Sequence, residues 1–157
     1  MQESSNLKLR PADAGDVSFL LKVFADTREA ELAVLSEEQR SEFVEMQFRL
    51  RDQQYRGRYP SASDKLILLD ERPIGRILVD RSSDAIVLVD VALLSEFRRR
   101  GIGTELIRNL IIEATIAGLP LQLQVFKFNR AVRLYQRLGF SVAGDDGVYL
   151  SMLYRTG

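Results

Sequence analysis

The stretch FRRRGIGTEL, at 97–106, combines residue types that suit the binding of a phosphate group. Three arginines (Arg98–Arg100) precede Gly101 and Gly103, and the chain then becomes apolar at helical spacing. A helix start exposes unpaired N–H groups and partial positive charge, and it binds phosphate where side chains leave room. The stretch therefore predicts a pyrophosphate site at a helix N-terminus. The alternative is a tight strand-to-helix turn carrying a solvated basic run.

Two other phosphate-binding motifs do not fit this stretch. A dinucleotide-binding fingerprint requires a third glycine where Leu106 stands. A Walker loop requires Gly-Lys-Ser/Thr, whereas Thr104 and Glu105 follow Gly103.

The composition limits the remaining chemistry. The 157 residues contain 22 basic and 22 acidic side chains, which argues against a general nucleic-acid or membrane binder. Histidine and cysteine are absent from the sequence, which removes imidazole bases and thiolate nucleophiles. The start of the sequence lacks a secretory signal, and no apolar run reaches transmembrane length. We expect one cytoplasmic domain, 1–157, with no metal.

The first half of the chain predicts a strand and two helices. NLKLRP alternates as a strand does, and Asp13 can cap a helix. We expect the apolar face of this helix to comprise Val17, Leu20, Leu21 and Phe24. Ser36 and Gln39 have capping-box spacing and begin a second helix, whose apolar positions are Phe43, Met46 and Leu50.

The second half predicts a sheet with two further helices. KLILLD, IGRILVD and AIVLVDVALL are strand-like with short connections, as in an antiparallel meander, and the third is apolar enough to be covered on both faces. A helix follows from Ile102 and stops at Gly118. LQLQVFKF is a strand, NRAVRLYQRLGF a short helix and VYLSMLYR a final strand, and a further short strand can follow Phe140. The predicted class is α/β, with helices on a mixed sheet.

These motifs resemble the GNAT superfamily of acyl-CoA-dependent N-acyltransferases. The family's signature Arg/Gln-x-x-Gly-x-Gly/Ala matches Arg98, Gly101 and Gly103. A second family block resembles NRAVRLYQRLGF, which contains Asn129 and Tyr135. LRPADAGDVSFL also resembles the family's opening strand and helix, so the resemblance covers nearly the whole chain.

The resemblance implies a GNAT-like single domain, with a mostly antiparallel central sheet, that transfers an acetyl group from acetyl-CoA to a primary amine of a small molecule or peptide. It also implies pairing into a homodimer in some family members. The pyrophosphate is expected at 99–104, the pantetheine arm along the end of the fourth strand, and a further contact at Asn129. The implied cofactor-binding residues are Leu93, Leu94, Arg98, Arg99, Arg100, Gly101, Ile102, Gly103, Thr104, Asn129 and Tyr135.

The resemblance also suggests catalytic roles for two residues. Tyr135 stands where the family places the proton donor to the departing sulfur, although its position on an apolar stripe is equally typical of a core aromatic residue. The fourth-strand positions that carry a base in several family members are Val87 and Val89 here. Asp90 is the only ionisable side chain of that strand, so it is either a base with a raised pKa or a structural acceptor. A water chain to solvent is a third route for the proton.

The sequence leaves the acceptor open. In the family's fold the segment 26–62 lines the acceptor side, and here it includes Tyr55, Arg56, Arg58 and Tyr59, although a charged helix face is usually just solvated. The DDG turn at 145–147 can attract a cationic amine or serve only as a turn. Two further classes stay open: an acyl-CoA sensor without catalysis, and a nucleic-acid binder that uses the basic run.

Overall fold

The computed structural model describes residues 6–155. Its strands are β1 Leu7–Pro11, β2 Ser63–Leu69, β3 Arg72–Arg81, β4 Ile86–Leu93, β5 Leu121–Phe126, β6 Ser141–Asp145 and β7 Tyr149–Tyr154. Its helices are α1 Val17–Asp26, α2 Glu29–Leu32, α3 Glu37–Arg58, α4 Ile102–Ala117 and α5 Ala131–Leu138.

Within the described residues the strands form one sheet in the order β1-β2-β3-β4-β5-β7-β6. The pairs β1–β2, β5–β7 and β6–β7 are antiparallel. The pair β4–β5 is parallel, with Ile86 opposite Leu121 and Leu88 opposite Leu123. A parallel neighbour requires a long crossover, which α4 supplies. The predicted class, a mostly antiparallel α/β sheet with helices, is confirmed.

The chain groups into two compact units, the first comprising 6–78 and 90–98 and the second comprising 79–89 and 99–155. In the first unit α1 packs on β2, where Leu20, Leu66 and Leu68 form one apolar cluster. A second cluster joins Phe24, Leu32 and Val44 from the three helices. The long α3 begins with the predicted capping box between Ser36 and Gln39.

In the second unit the buried face of α4 comprises Ile102, Leu106, Ile107, Leu110 and Ala114. β5 alternates strictly between buried and exposed residues, so one face of it packs. α5 ends at Gly139, whose φ of 110° favours glycine. A Cβ there would lie 2.8 Å from the ring of Tyr154, so glycine is also required by packing.

The sequence predictions about burial are wrong in part. Val17, Met46 and Leu50 are about half exposed. α1 buries Leu20 and Phe24 as predicted and also Val23, whereas α3 buries Val44. β4 buries only Ile86 and Leu88, and its other residues stay partly accessible, so the described chain does not cover both faces of this strand.

Helix α2 was not expected, whereas the short strand after Phe140 exists as β6. The prediction that the chain forms one domain over 1–157 stays a prediction.

The turn before α1 depends on Asp16. Its carboxylate accepts two hydrogen bonds from Arg10 at 2.9 Å and one from the N–H of Asp13 at 2.8 Å. The hydrogen bonds from Arg10 are the main reason that the pKa of Asp16 is lowered to about 2, and the Asp13 N–H adds to the effect. Because the folded-state pKa lies below the unfolded value, this carboxylate stabilises the fold above pH ~4 and ceases to do so as the pH falls toward 2.

We therefore expect Asp16→Asn to lower the free energy of unfolding at neutral pH and to flatten its decline between pH 4 and pH 2. Urea unfolding followed by circular dichroism at several pH values measures both effects. Asp84→Asn, in an exposed turn, is the matched control. If the free energy of unfolding of Asp16→Asn declined below pH 4 as steeply as that of the wild type, this role would be contradicted.

Candidate functional site

Two of the residues before α4 adopt a left-handed backbone conformation. Arg99 has a φ of 64° and Gly101, the N-cap of α4, has a φ of 82°, both in the left-handed region. A non-glycine residue held there costs about 1 kcal/mol or more and is typical of functional segments. Gly101 has no side chain, so the N-cap residue cannot itself accept hydrogen bonds from the first amides of this 16-residue helix.

Gly103 has no folding reason that the described residues supply. A Cβ built on Gly103 or on Gly101 would meet nothing within 4 Å, so neither glycine makes room for another part of the protein. Gly103 has no positive φ, and glycine inside a helix is about 0.5–1 kcal/mol less favourable than alanine. The glycine keeps the space over the helix start open. A diphosphate fits there, because it is an anion that needs close approach to N–H groups.

In the first unit, Leu93 and Leu94 use part of their backbone hydrogen-bonding capacity. The Leu94 N–H donates to the Ile74 carbonyl at 2.8 Å, and Arg98 Nε donates to the Leu93 carbonyl at 3.0 Å. Each carbonyl oxygen has a second lone pair, so a ligand can share the Leu93 oxygen. Their predicted contact with a pantetheine arm stays a prediction.

In the second unit, Asn129 lies two residues before α5, whose N-cap residue is Arg130 and not the expected Asn129. Asn129 Oδ1 still accepts a hydrogen bond from the Ala131 N–H at 2.8 Å, so its side chain satisfies one amide of the helix start. A cofactor contact by Asn129 is untested.

Tyr135 is buried on α5, and its ring lies 5.7 Å from that of Phe140. The core role that the sequence allowed for Tyr135 is therefore present, and its proton-donor role stays a prediction.

In the first unit, Asp90 lies beside Arg51 of α3. Arg51 Nη2 and Asp90 Oδ1 are 3.6 Å apart, and the Asp90 side chain is 20% exposed. Burial raises the pKa of Asp90 above its ordinary value, and the positive charges of Arg51 and Arg76 offset part of that rise. Both sequence interpretations have support, because the carboxylate is paired and also harder to ionise than usual.

Two more residues of this cluster were missed by the sequence reasoning. Arg76 is buried on β3; its Nε and Nη2 donate to Asp64 at 2.8 and 2.9 Å, and Nη2 donates to Asp52 at 2.9 Å. Burial lowers its pKa, but the bonds to Asp64 and Asp52 outweigh this and raise it. A lone arginine in the apolar run IGRILVD was the available signal, because a buried charge requires partners.

Arg51 is the second, and Tyr55, one turn further along α3, contacts its guanidinium. Arg51 Nε donates to Tyr55 Oη at 2.6 Å, and the guanidinium lies 5.4 Å from the ring centroid. Burial, followed by the negative charge of Asp90, raises the pKa of Tyr55 to about 12. Tyr55 therefore stays a neutral phenol at physiological pH and can hold Arg51 in place.

The other residues considered for the acceptor are engaged locally. Arg56 pairs with Asp52, and Arg58 lies over the ring of Tyr59. In the DDG turn Asp145 pairs with Lys127, while Asp146 accepts the N–H groups of Val148 and Tyr149. Both carboxylates have a lowered pKa as a result. These contacts favour the interpretation of DDG as a turn.

Comparison with known proteins identifies the family. The model of the acetyltransferase (GNAT) family matches residues 24–140. No curated protein matches the chain. Over residues 6–155, no helix is long and apolar enough to cross a membrane.

Solved structures share the fold at low sequence identity. The PaiA N-acetyltransferase from Thermoplasma acidophilum, in complex with coenzyme A, is 18% identical with a TM-score of 0.69, covering 96% of this chain and 99% of that one. An acetyltransferase from Thermus thermophilus is 20% identical with a TM-score of 0.68, covering 95% and 96%. A GNAT acetyltransferase from Elizabethkingia anophelis with acetyl-CoA bound is 16% identical with a TM-score of 0.61, covering 96% and 98%.

The chain belongs to the GNAT family of acetyltransferases, because the family model matches most of its length.

Proposed function

We propose that the protein is an N-acetyltransferase that transfers an acetyl group from acetyl-CoA to a primary amine. The observation that carries the proposal is the open start of α4, where Gly103 leaves space that no described residue fills. Membership of the GNAT family and the coenzyme A and acetyl-CoA bound by structurally similar acetyltransferases support the same donor.

The donor is held by residues of the loop and its neighbours in this proposal. The amides of 101–104 bind its diphosphate, Arg98, Arg99 and Arg100 add positive charge, and the backbone of Leu93 and Leu94 meets the pantetheine arm. Asn129 and Tyr135 contribute further contacts. When bound, acetyl-CoA supplies an acetyl group activated as a thioester.

The chain's own residues handle the protons. An alkyl ammonium has a pKa near ~10, so it must lose a proton before its nitrogen can attack. Asp90 takes that proton. The nitrogen then forms a bond to the acetyl carbon, and the carbon–sulfur bond breaks with its electron pair on sulfur. Tyr135 protonates the sulfur, and its phenol regains the second proton that the nitrogen releases.

We further propose a cytoplasmic location and a small-molecule or peptide acceptor. The activity is tested by measuring thiol release from acetyl-CoA across a panel of primary amines. Release that depends on an amine supports the transferase. Tight coenzyme A binding without thiol release from any amine would favour the sensor instead, and salt-sensitive DNA binding without coenzyme A binding would favour the nucleic-acid binder.

Gly103→Leu tests whether the open space over the start of α4 binds the diphosphate. The leucine side chain occupies the space over the helix start, so we expect at least a tenfold loss of coenzyme A affinity by calorimetry. Leucine is a better helix former, so the free energy of unfolding is expected to stay level or rise by about 0.5–1 kcal/mol.

Gly57→Leu, at an equally open position of α3, is the matched control and should leave affinity unchanged. Unaltered affinity in Gly103→Leu would reject the diphosphate site.

Tyr135→Phe tests the proton donor. The ring and its packing on Phe140 remain, so we expect normal coenzyme A affinity and stability, with kcat lowered by about 10²- to 10⁴-fold. Tyr154→Phe, in which the ring that packs on the other side of Phe140 is kept, controls for loss of a hydroxyl. Full turnover by Tyr135→Phe would leave the residue as a core aromatic only.

Asp90→Asn tests the base. Since the pKa of Asp90 is raised, wild-type kcat/KM is expected to increase with pH as this carboxyl ionises. The asparagine cannot take a proton, so the variant is expected to lose that limb and about 10²- to 10⁴-fold in kcat. Coenzyme A affinity reports on folding. A variant that keeps its rate and its pH profile would show that a water chain removes the proton.

A further inference from the structure

The ion pair between Arg51 and Asp90 is loose, since its charged groups are not in close contact. The two charged groups are 3.6 Å apart, which exceeds the separation of a good charge-assisted hydrogen bond. The Arg51 side chain is 38% exposed and that of Asp90 is 20% exposed, so part of each side chain remains accessible. Tyr55 holds the guanidinium from the side of Nε.

Arg76, in the same unit, shows the contrast. It makes short hydrogen bonds to Asp64 and Asp52, and its side chain is only 8% exposed. An arginine engaged in this way serves the fold, because replacing either partner would leave a buried charge. Arg51 is the more accessible guanidinium beside Asp90.

We propose that the acceptor is a free α-amino acid, whose carboxylate binds Arg51 while its amine meets Asp90. This inference rests on the proposed N-acetyltransferase function and names its substrate class. The nitrogen and carboxylate oxygens of an α-amino acid lie roughly 3 Å apart, as its bond lengths require. That spacing matches the separation of Arg51 from Asp90 with the signs reversed, so the zwitterion pairs with both groups at once.

The exchange of partners also favours the reaction. Arg51 is the largest of the charges that lower the pKa of Asp90, and Arg76 and Arg28 act in the same direction. When the acceptor's carboxylate neutralises Arg51, the ammonium replaces the guanidinium as the partner of Asp90, which puts the proton to be removed next to the carboxylate. The ammonium gives one proton to Asp90, and the nitrogen lone pair then forms the bond to the acetyl carbon. Because Tyr55 is neutral, it places no negative charge beside Arg51 that would compete with the carboxylate of the acceptor.

The test compares free L-amino acids with their carboxamides in the thiol-release assay. We expect the wild type to prefer the free acid over the carboxamide. This preference is expected to fall about 10- to 100-fold in Arg51→Met, because that is the range for the loss of a hydrogen bond to a charged group. The ratio between acid and amide cancels the differing basicity of the two amines when variants are compared. Arg49→Met removes the same charge from the exposed side of α3 and should keep the wild-type ratio.

Two readouts separate this role from a structural one. In Arg51→Met the acid limb of kcat/KM for a carboxamide is expected to move to higher pH, because a cation that lowers the pKa of Asp90 is gone. Calorimetry without acetyl-CoA should detect binding of the preferred amino acid to the wild type and to Arg49→Met, with weaker binding to Arg51→Met.

The outcomes also separate this inference from the proposed function. Thiol release with amines or carboxamides but no preference for the acid, or a preference that Arg51→Met leaves intact, overturns the amino-acid acceptor and keeps the acetyltransferase. No thiol release with any amine overturns the acetyltransferase. Amino-acid binding that is still measurable by calorimetry and sensitive to Arg51→Met would then support the binding site alone, and its absence would overturn that site too.

Discussion

The start of α4 imposes the constraint on which the account depends. A helix N-terminus carries backbone amides that require acceptors, and the N-cap residue here is Gly101, which has no side chain to supply one. It also places glycine at 103, where alanine would stabilise the helix and where nothing in the described chain fills the space. A chain selected for stability alone has no use for this combination. An anion that binds the amides gives the glycine a reason, and the strained backbone of Arg99 agrees with that interpretation.

Charge in the first unit is arranged in two different ways. Arg76 is buried and fully matched by Asp64 and Asp52, so it contributes to the positions of β3, β2 and α3. Asp90 is matched only loosely by Arg51, so burial dominates and its pKa rises. A permanently charged, well-paired arginine next to a carboxyl group with a raised pKa suits a site in which one group exchanges a proton while its surroundings stay in place.

Local patterns predicted most elements of the fold. The capping box at Ser36, the glycine stop after α5 and the alternation of β5 each depend on neighbours within a few residues, and each is present. Val17 of α1 and the positions Met46 and Leu50 of α3 were wrong because apolar spacing alone allows more than one face, and the packing partner decides which face is buried. Periodicity also could not reveal that β4 stays partly accessible.

The candidate site could likewise be predicted from the sequence only where its residues are close together in the chain. Its glycine loop is contiguous, so residue types and spacing were enough to propose it. The partners of Asp90 come from distant parts of the sequence, and no local pattern indicates that Arg51 of α3 lies 3.6 Å from it. Arg76 was detectable as a charge in an apolar strand, but its two carboxylate partners were not.

The most direct measurement of the central claim is a titration of ¹⁵N-labelled protein with coenzyme A, followed by the backbone amide resonances. We expect the amide resonances of 101–104 to shift most, and inorganic pyrophosphate to shift the same set, because these N–H groups meet the diphosphate. Coenzyme A that binds while these amides stay unchanged would contradict the account.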